Sequence, residues 1–167
     1  MEEVKFSPIG IVHRKAADDV VKEKAGGLES VIEIYPRYQE GLAGLEGFSH
    51  IFVLAYFSRL RPGQVGPLKV KPKRLVKYGL KLEEIPEVGV FALDSPTRPN
   101  PIGLSLARLL RIEEGNKLVV ADLEYFDGTP ILDIKPYQAG YRTEKYELPR
   151  WNTELSKKAK MSPDESV

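Results

Sequence analysis

Along most of the chain, apolar and polar residues alternate with a period of two, the signature of strands with one buried face. Leu28 to Tyr35 (LESVIEIY) is the clearest case and predicts a half-buried strand. Val4 to His13 (VKFSPIGIVH) predicts a strand bent at Pro8-Ile9-Gly10. Ser49 to Phe57 (SHIFVLAYF) is almost unbroken in its apolarity and predicts a central strand buried on both sides. Val88 to Ala92 is a short strand. Leu104 to Ile112 and Leu118 to Tyr125 flank Glu113-Glu114-Gly115-Asn116, a hairpin signal. Asp127-Gly128-Thr129-Pro130 is a turn leading into a strand that ends at Lys135-Pro136-Tyr137. Between these, Arg14 to Gly27 reads as a loop and Pro36 to Gly47 as a turn-rich connection with one helical turn. From Gln138 the pattern weakens, and residues 156–167 read as a polar, frayed tail.

About seven short strands separated by Gly/Pro turns, without helices between them, predict a mainly β protein. The expected architecture is a single antiparallel β-barrel with long loops and few short helices, a sandwich being the alternative. The expected division is a barrel domain over 1–140 and a C-terminal extension over 141–167. The length of 167 residues suffices for a real core without staples. The absence of cysteine excludes a disulfide scaffold, a thiolate metal site and a cysteine nucleophile. With only His13 and His50 as imidazoles, no metal is expected, and each histidine reads as a structural hydrogen-bonding group. No apolar run nears the roughly 20 residues of a membrane helix, and the N-terminus lacks an apolar leader. A soluble, cytoplasmic protein without membrane contact is expected. No G-x-G-x-x-G follows a strand, so a Rossmann-type nucleotide site has no support.

Net charge is +1, so only the distribution of charge is informative. Arg59 to Lys81 holds eight Lys and Arg residues and no Asp or Glu, with prolines and glycines that break helix and strand alike. It predicts a basic, extended arm suited to a polyanion, with Lys71, Lys73 and Arg74 as phosphate contacts. Asp94 to Gly103 (DSPTRPNPIG) is different: three prolines within six residues fix φ and hold Arg98 and Asn100 rigidly. A ligand or phosphate clamp and a purely structural crossover are equally open readings of it. Asp133 and Lys135, two apart in a strand, share a face. They form either an ordinary ion pair or a substrate-orienting pair. Tyr141, Tyr146 and Trp151 are candidate base-stacking residues, with packing against the barrel the alternative for Trp151.

The string GVFALDSPTRPNPIGLS, Gly89 to Ser105, resembles the signature of the TrmO (YaeB-like, VirR) family. PIGIVH at Pro8 to His13, GLEGFSHIFVLAYF at Gly44 to Phe57, and DGTPILDIKPY at Asp127 to Tyr137 agree in order and spacing. The resemblance covers roughly 4–140. It implies a homodimeric, barrel-shaped methyltransferase that uses S-adenosylmethionine to methylate N6 of N6-threonylcarbamoyladenosine beside the tRNA anticodon. It further implies cofactor contacts at Ser58, Arg59, Asp94, Ser95, Pro96, Arg98, Leu104, Asp127, Gly128, Thr129 and Pro130. Asp94 stands where members commonly carry a basic residue, and a Pro-Arg-Gln segment common after the first strand is absent here. For this reaction Asp133, or Tyr137 through a water, is the candidate base. Lys135 would hold a phosphate or the threonyl carboxylate, and Arg98 would lie near the modified base. The alternatives are methylation of a small molecule or protein, and a non-enzymatic module that binds S-adenosylmethionine or RNA.

Overall fold

A computed structural model describes residues 3–15, 18, 21 and 28–161. The described strands are β1 (Gly10–His13), β2 (Glu29–Ile34), β3 (His50–Tyr56), β4 (Lys69–Val70), β5 (Val88–Gly89), β6 (Ile102–Glu113), β7 (Lys117–Ala121) and β8 (Pro130–Pro136). Six of them close an antiparallel barrel in the order β1-β2-β7-β6-β3-β8, with Gly10 opposite Ile131 at the seam. Closure leaves these strands without an unpaired edge. The inward residues Val12, Ile32, Ile34, Ile51, Val53 and Ile131 are at most 1% exposed and fill the interior. Each is worth roughly 1.5–3 kcal/mol relative to exposure. The mainly β barrel expected from the alternation is therefore the fold.

The chain forms two compact units. One is Met1–Ser58 with Ile102–Tyr141, the barrel; the other is Arg59–Pro101 with Arg142–Val167. The first unit ends at Tyr141, and the segment 59–101 groups with the second. In the second unit β4 pairs with β5, and a 3-10 helix spans Lys73–Tyr78. Leu75, Leu80 and Ile85 are buried there with Leu155 and Ala159, which come from and just beyond helix α1 (Arg150–Lys158).

Several expectations need correction. The segment 59–81 is not an extended arm, because Leu75 and Leu80, spaced among its lysines, anchor a second apolar cluster. Residues 156–161 are not frayed: Trp151, Leu155 and Ala159 recur every four residues and turn one helical face into that cluster. Trp151 accordingly packs in that cluster. Residues 162–167 lie outside the described residues. β3 is buried on one face only, since a barrel strand has an inside and an outside, and the outward Phe52 and Leu54 are half-buried. The first strand begins at Gly10, after Pro8, which has no N–H for a ladder. Val88–Ala92 splits into β5 and a 3-10 turn, Val90–Ala92. Of the expected loop 14–27 only Arg14, Lys15, Asp18 and Val21 are described, and Asp18 and Val21 are helical.

Candidate functional site

In the barrel unit the turn Asp127 to Pro130 is tied to β1 on both sides. Gly128 N–H donates to the Val12 carbonyl at 2.8 Å, and Val12 N–H donates to the Thr129 carbonyl at 3.0 Å. Gly128 has φ 75°, a left-handed conformation that suits glycine. The Asp127 carboxylate accepts from Arg14 N–H at 2.8 Å, which fixes the turn's entry. Thr129 is buried, Asp127 is exposed, and Pro130 opens β8.

Leu104 lies on the outer face of β6, 57% exposed, opposite Leu54 of β3. Ser58, exposed just past β3, donates its N–H to the Tyr56 carbonyl at 3.0 Å. Along β8, Lys135 Nζ lies 2.9 Å from Asp133 Oδ2, so the shared face is real. The other oxygen, Oδ1, accepts from Ile134 N–H at 2.9 Å. The hydrogen bond that Lys135 donates to Asp133, and the charge of that carboxylate, hold the Lys135 amine above its ordinary range. Asp133 also borders a cavity of about 380 Å³ otherwise walled largely by apolar groups such as Ile9, Ile34, Leu42 and Phe48.

Tyr137 belongs to an aromatic cluster on the same side. Its ring lies 5.6 Å from Phe52 and 6.4 Å from His50, and Tyr141 lies 5.0 Å from Phe52. His50 faces Ser49 Oγ at 3.0 Å, and His13 pairs with Glu33 at 2.8 Å. Tyr125 and Arg14 are two further buried polar groups of the barrel unit. Tyr125 donates its hydroxyl to the Val53 carbonyl at 2.9 Å inside the barrel. Arg14, two residues beyond the inward Val12, is only 8% exposed. The alternation of β1 was the signal that pointed to it.

In the second unit Asp94 and Pro96 are exposed, and Ser95 Oγ accepts from Thr97 N–H at 3.2 Å. Arg98 is not displayed as a free clamp: its Nη2 donates to the carbonyls of Val90 and Leu93, both at 2.8 Å. Arg59 and Lys73 are exposed. Lys71 Nζ donates to the Leu82 carbonyl at 3.0 Å, and the Arg74 guanidinium lies 6.0 Å from the Tyr78 ring. The expected cofactor residues thus divide between the units. Ser58, Leu104 and Asp127 to Pro130 belong to the barrel, and Arg59, Asp94, Ser95, Pro96 and Arg98 to the second unit. Among the described residues no group of His, Asp and Glu side chains could hold a metal, and no helix is long and apolar enough to cross a membrane.

Comparison with known proteins adds the following. The family model described as the tRNA-methyltransferase O N-terminal domain matches residues 21–142. The chain is 40% identical over 136 residues to a probable S-adenosyl-L-methionine-binding protein of Pyrococcus abyssi, covering 79% of this chain and 67% of that protein. It is 32% identical over 146 residues to a tRNA (adenine(37)-N6)-methyltransferase of Escherichia coli, covering 82% of this chain and 59% of that protein. The crystal structure of TrmO from Pseudomonas aeruginosa superposes with a TM-score of 0.64 at 27% identity, over 87% of this chain and 61% of that one. The chain therefore spans only about three-fifths of the length of these two bacterial proteins.

Proposed function

Since this chain belongs to the tRNA-methyltransferase O N-terminal domain family, we propose that it methylates tRNA with S-adenosylmethionine as donor, at N6 of N6-threonylcarbamoyladenosine. The observation that carries the reading is the family match over residues 21–142, which takes in both the proline-locked loop and the Asp127 to Pro130 turn. The residues present suit the cofactor chemically. An exposed carboxylate at Asp127 can meet ribose hydroxyls or an ammonium, and the exposed Leu104 offers apolar surface. When bound, S-adenosylmethionine supplies an electrophilic methyl group on sulfur.

In this reading Asp127, Gly128, Thr129, Pro130, Leu104 and Ser58 hold the cofactor from the barrel unit. Arg59, Asp94, Ser95 and Pro96 are the further cofactor contacts that the family resemblance implies. Arg98 acts through the loop it pins to Val90 and Leu93, and positions its neighbours. The acceptor nitrogen must lose a proton, and Asp133 is the base, directly or with Tyr137 through water. Lys135, kept charged by Asp133, holds the threonyl carboxylate or a phosphate. The working form is a homodimer in the cytoplasm, with isologous contact as the default.

The test is transfer of labelled methyl from S-adenosylmethionine to tRNA, followed by nucleoside mass spectrometry of tRNA from a deletion strain. Loss of the methylated threonylcarbamoyl nucleoside is expected. Normal nucleoside content, with label passing instead to a small molecule or protein, would overturn the tRNA substrate. Binding of S-adenosylmethionine with no transfer to any acceptor would leave the non-enzymatic reading. Unchanged turnover in Asp133→Ala would remove that residue from the mechanism.

A further inference from the structure

Arg14 is a charged side chain inside a barrel, and most of its donors point at nothing. It follows the fully buried Val12 by two residues, so the alternation of β1 turns it inward as well. One nitrogen, Nη2, donates to the Leu123 carbonyl. The other two, Nε and Nη1, are buried without a hydrogen-bond partner. Burial pushes the guanidinium below its ordinary value, yet an arginine stays charged.

A second orphan lies beside it. β1 and β2 pair Val12 with Ile32 and His13 with Val31, and continuing that register sets Arg14 opposite Ser30. Ser30 is 2% exposed, and its Oγ is also buried without a partner. Buried polar side-chain atoms are satisfied in the large majority of cases. Unmatched donors from two neighbouring inward positions, one of them cationic, indicate a missing anionic acceptor. The backbone of Arg14 is also fastened to Asp127, the first residue of the turn assigned to the cofactor. The chemistry needed is that of a small carboxylate.

We infer that Arg14, assisted by Ser30, binds the carboxylate of the cofactor's amino-acid moiety in this chain. The inference rests on the S-adenosylmethionine reading above. It gives a reason for placing an arginine where a barrel interior would otherwise be apolar, a position that costs stability unless the charge is met.

The test is calorimetry on the full chain with two probes. S-adenosylhomocysteine carries the carboxylate, and 5′-methylthioadenosine lacks the amino-acid part. Arg14→Gln is expected to weaken S-adenosylhomocysteine about 10- to 100-fold while changing 5′-methylthioadenosine by less than about twofold. Arg14→Lys should recover part of the loss. Equal loss of both probes, or no loss of either, would overturn the assignment. Should the variants fail to fold, the wild-type protein decides: the methyl ester of S-adenosylhomocysteine must bind more weakly than the free acid, and equal affinity would sink the proposal. Wild-type protein that binds neither probe would instead remove the cofactor reading, and this inference with it.

Discussion

Arg98 commits one guanidinium nitrogen to two backbone carbonyls, Val90 and Leu93, and so fixes the turn that precedes the proline-locked loop. Arg98→Ala should cost about 2 kcal/mol in urea unfolding, because two acceptors lose a charged donor. Arg98→Lys should restore only part of this, since an ammonium lacks the planar fork. Proline spacing revealed that the loop is rigid. It could not reveal that its arginine turns back onto the chain, because the carbonyls it meets are set by the 3-10 turn at Val90–Ala92. The Asp133–Lys135 pair was legible from spacing alone, as period two puts both on one face. The Lys135 amine is raised by its hydrogen bond to Asp133. Its contribution to stability is therefore fully present below the unfolded lysine value, roughly pH 10, and is lost as pH rises through the folded value. Asp133→Asn should abolish that alkaline component and leave the neutral range flat, as read by unfolding titrations at stepped pH.

Elements are decided by what their neighbours tolerate. A Cβ on Gly10 would lie 2.4 Å from the Glu33 carbonyl oxygen, a backbone atom held in the β1–β2 ladder. A Cβ on Gly103 would lie as close to the Phe57 ring, whose half-buried side chain can shift. Gly10→Ala should thus be the worse change, by about 3 kcal/mol or more, against about 1–2 kcal/mol for Gly103→Ala. The β6–β7 hairpin offers the opposite case. Glu114 sits at φ 52° and Gly115 at φ 75°. Glu114→Asn relieves a left-handed glutamate, worth about 1 kcal/mol. It gives up an ion pair to Lys117 whose Glu114 end is 70% exposed, worth less. A small rise in melting temperature is expected. The hairpin was plain in the sequence because turn chemistry and flanking alternation agree. Helix α1 was not, because its apolar face is only Trp151, Leu155 and the Ala159 beyond its end, too sparse to stand out among lysines.

At the scale of the whole molecule the strand count and the barrel were readable, but the order in which six strands pair to close it and the separation of a second unit were not. Both depend on pairings between distant segments, such as Gly10 with Ile131, that no local pattern encodes. The basic segment keeps its charge without being an arm. Lys73 and Arg74 are exposed, whereas Lys71 is bound to Leu82. Changing Lys71, Lys73 and Arg74 together to glutamine should weaken tRNA binding and reduce the salt slope by about two phosphate contacts. An unchanged slope would make the surface merely solvated. The pairing of β3 with β6 has a last consequence. Tyr56 and Ile102 face each other across the ladder, so the chain leaves the barrel and re-enters it at adjacent points. To the barrel, everything between them is a single long hairpin loop, and loop length is entropically cheap. Excising 59–99 in favour of a short turn, and ending the chain at 141, should leave a barrel that still unfolds cooperatively. Evolution could exchange or enlarge the inserted segment without renegotiating the architecture beneath it.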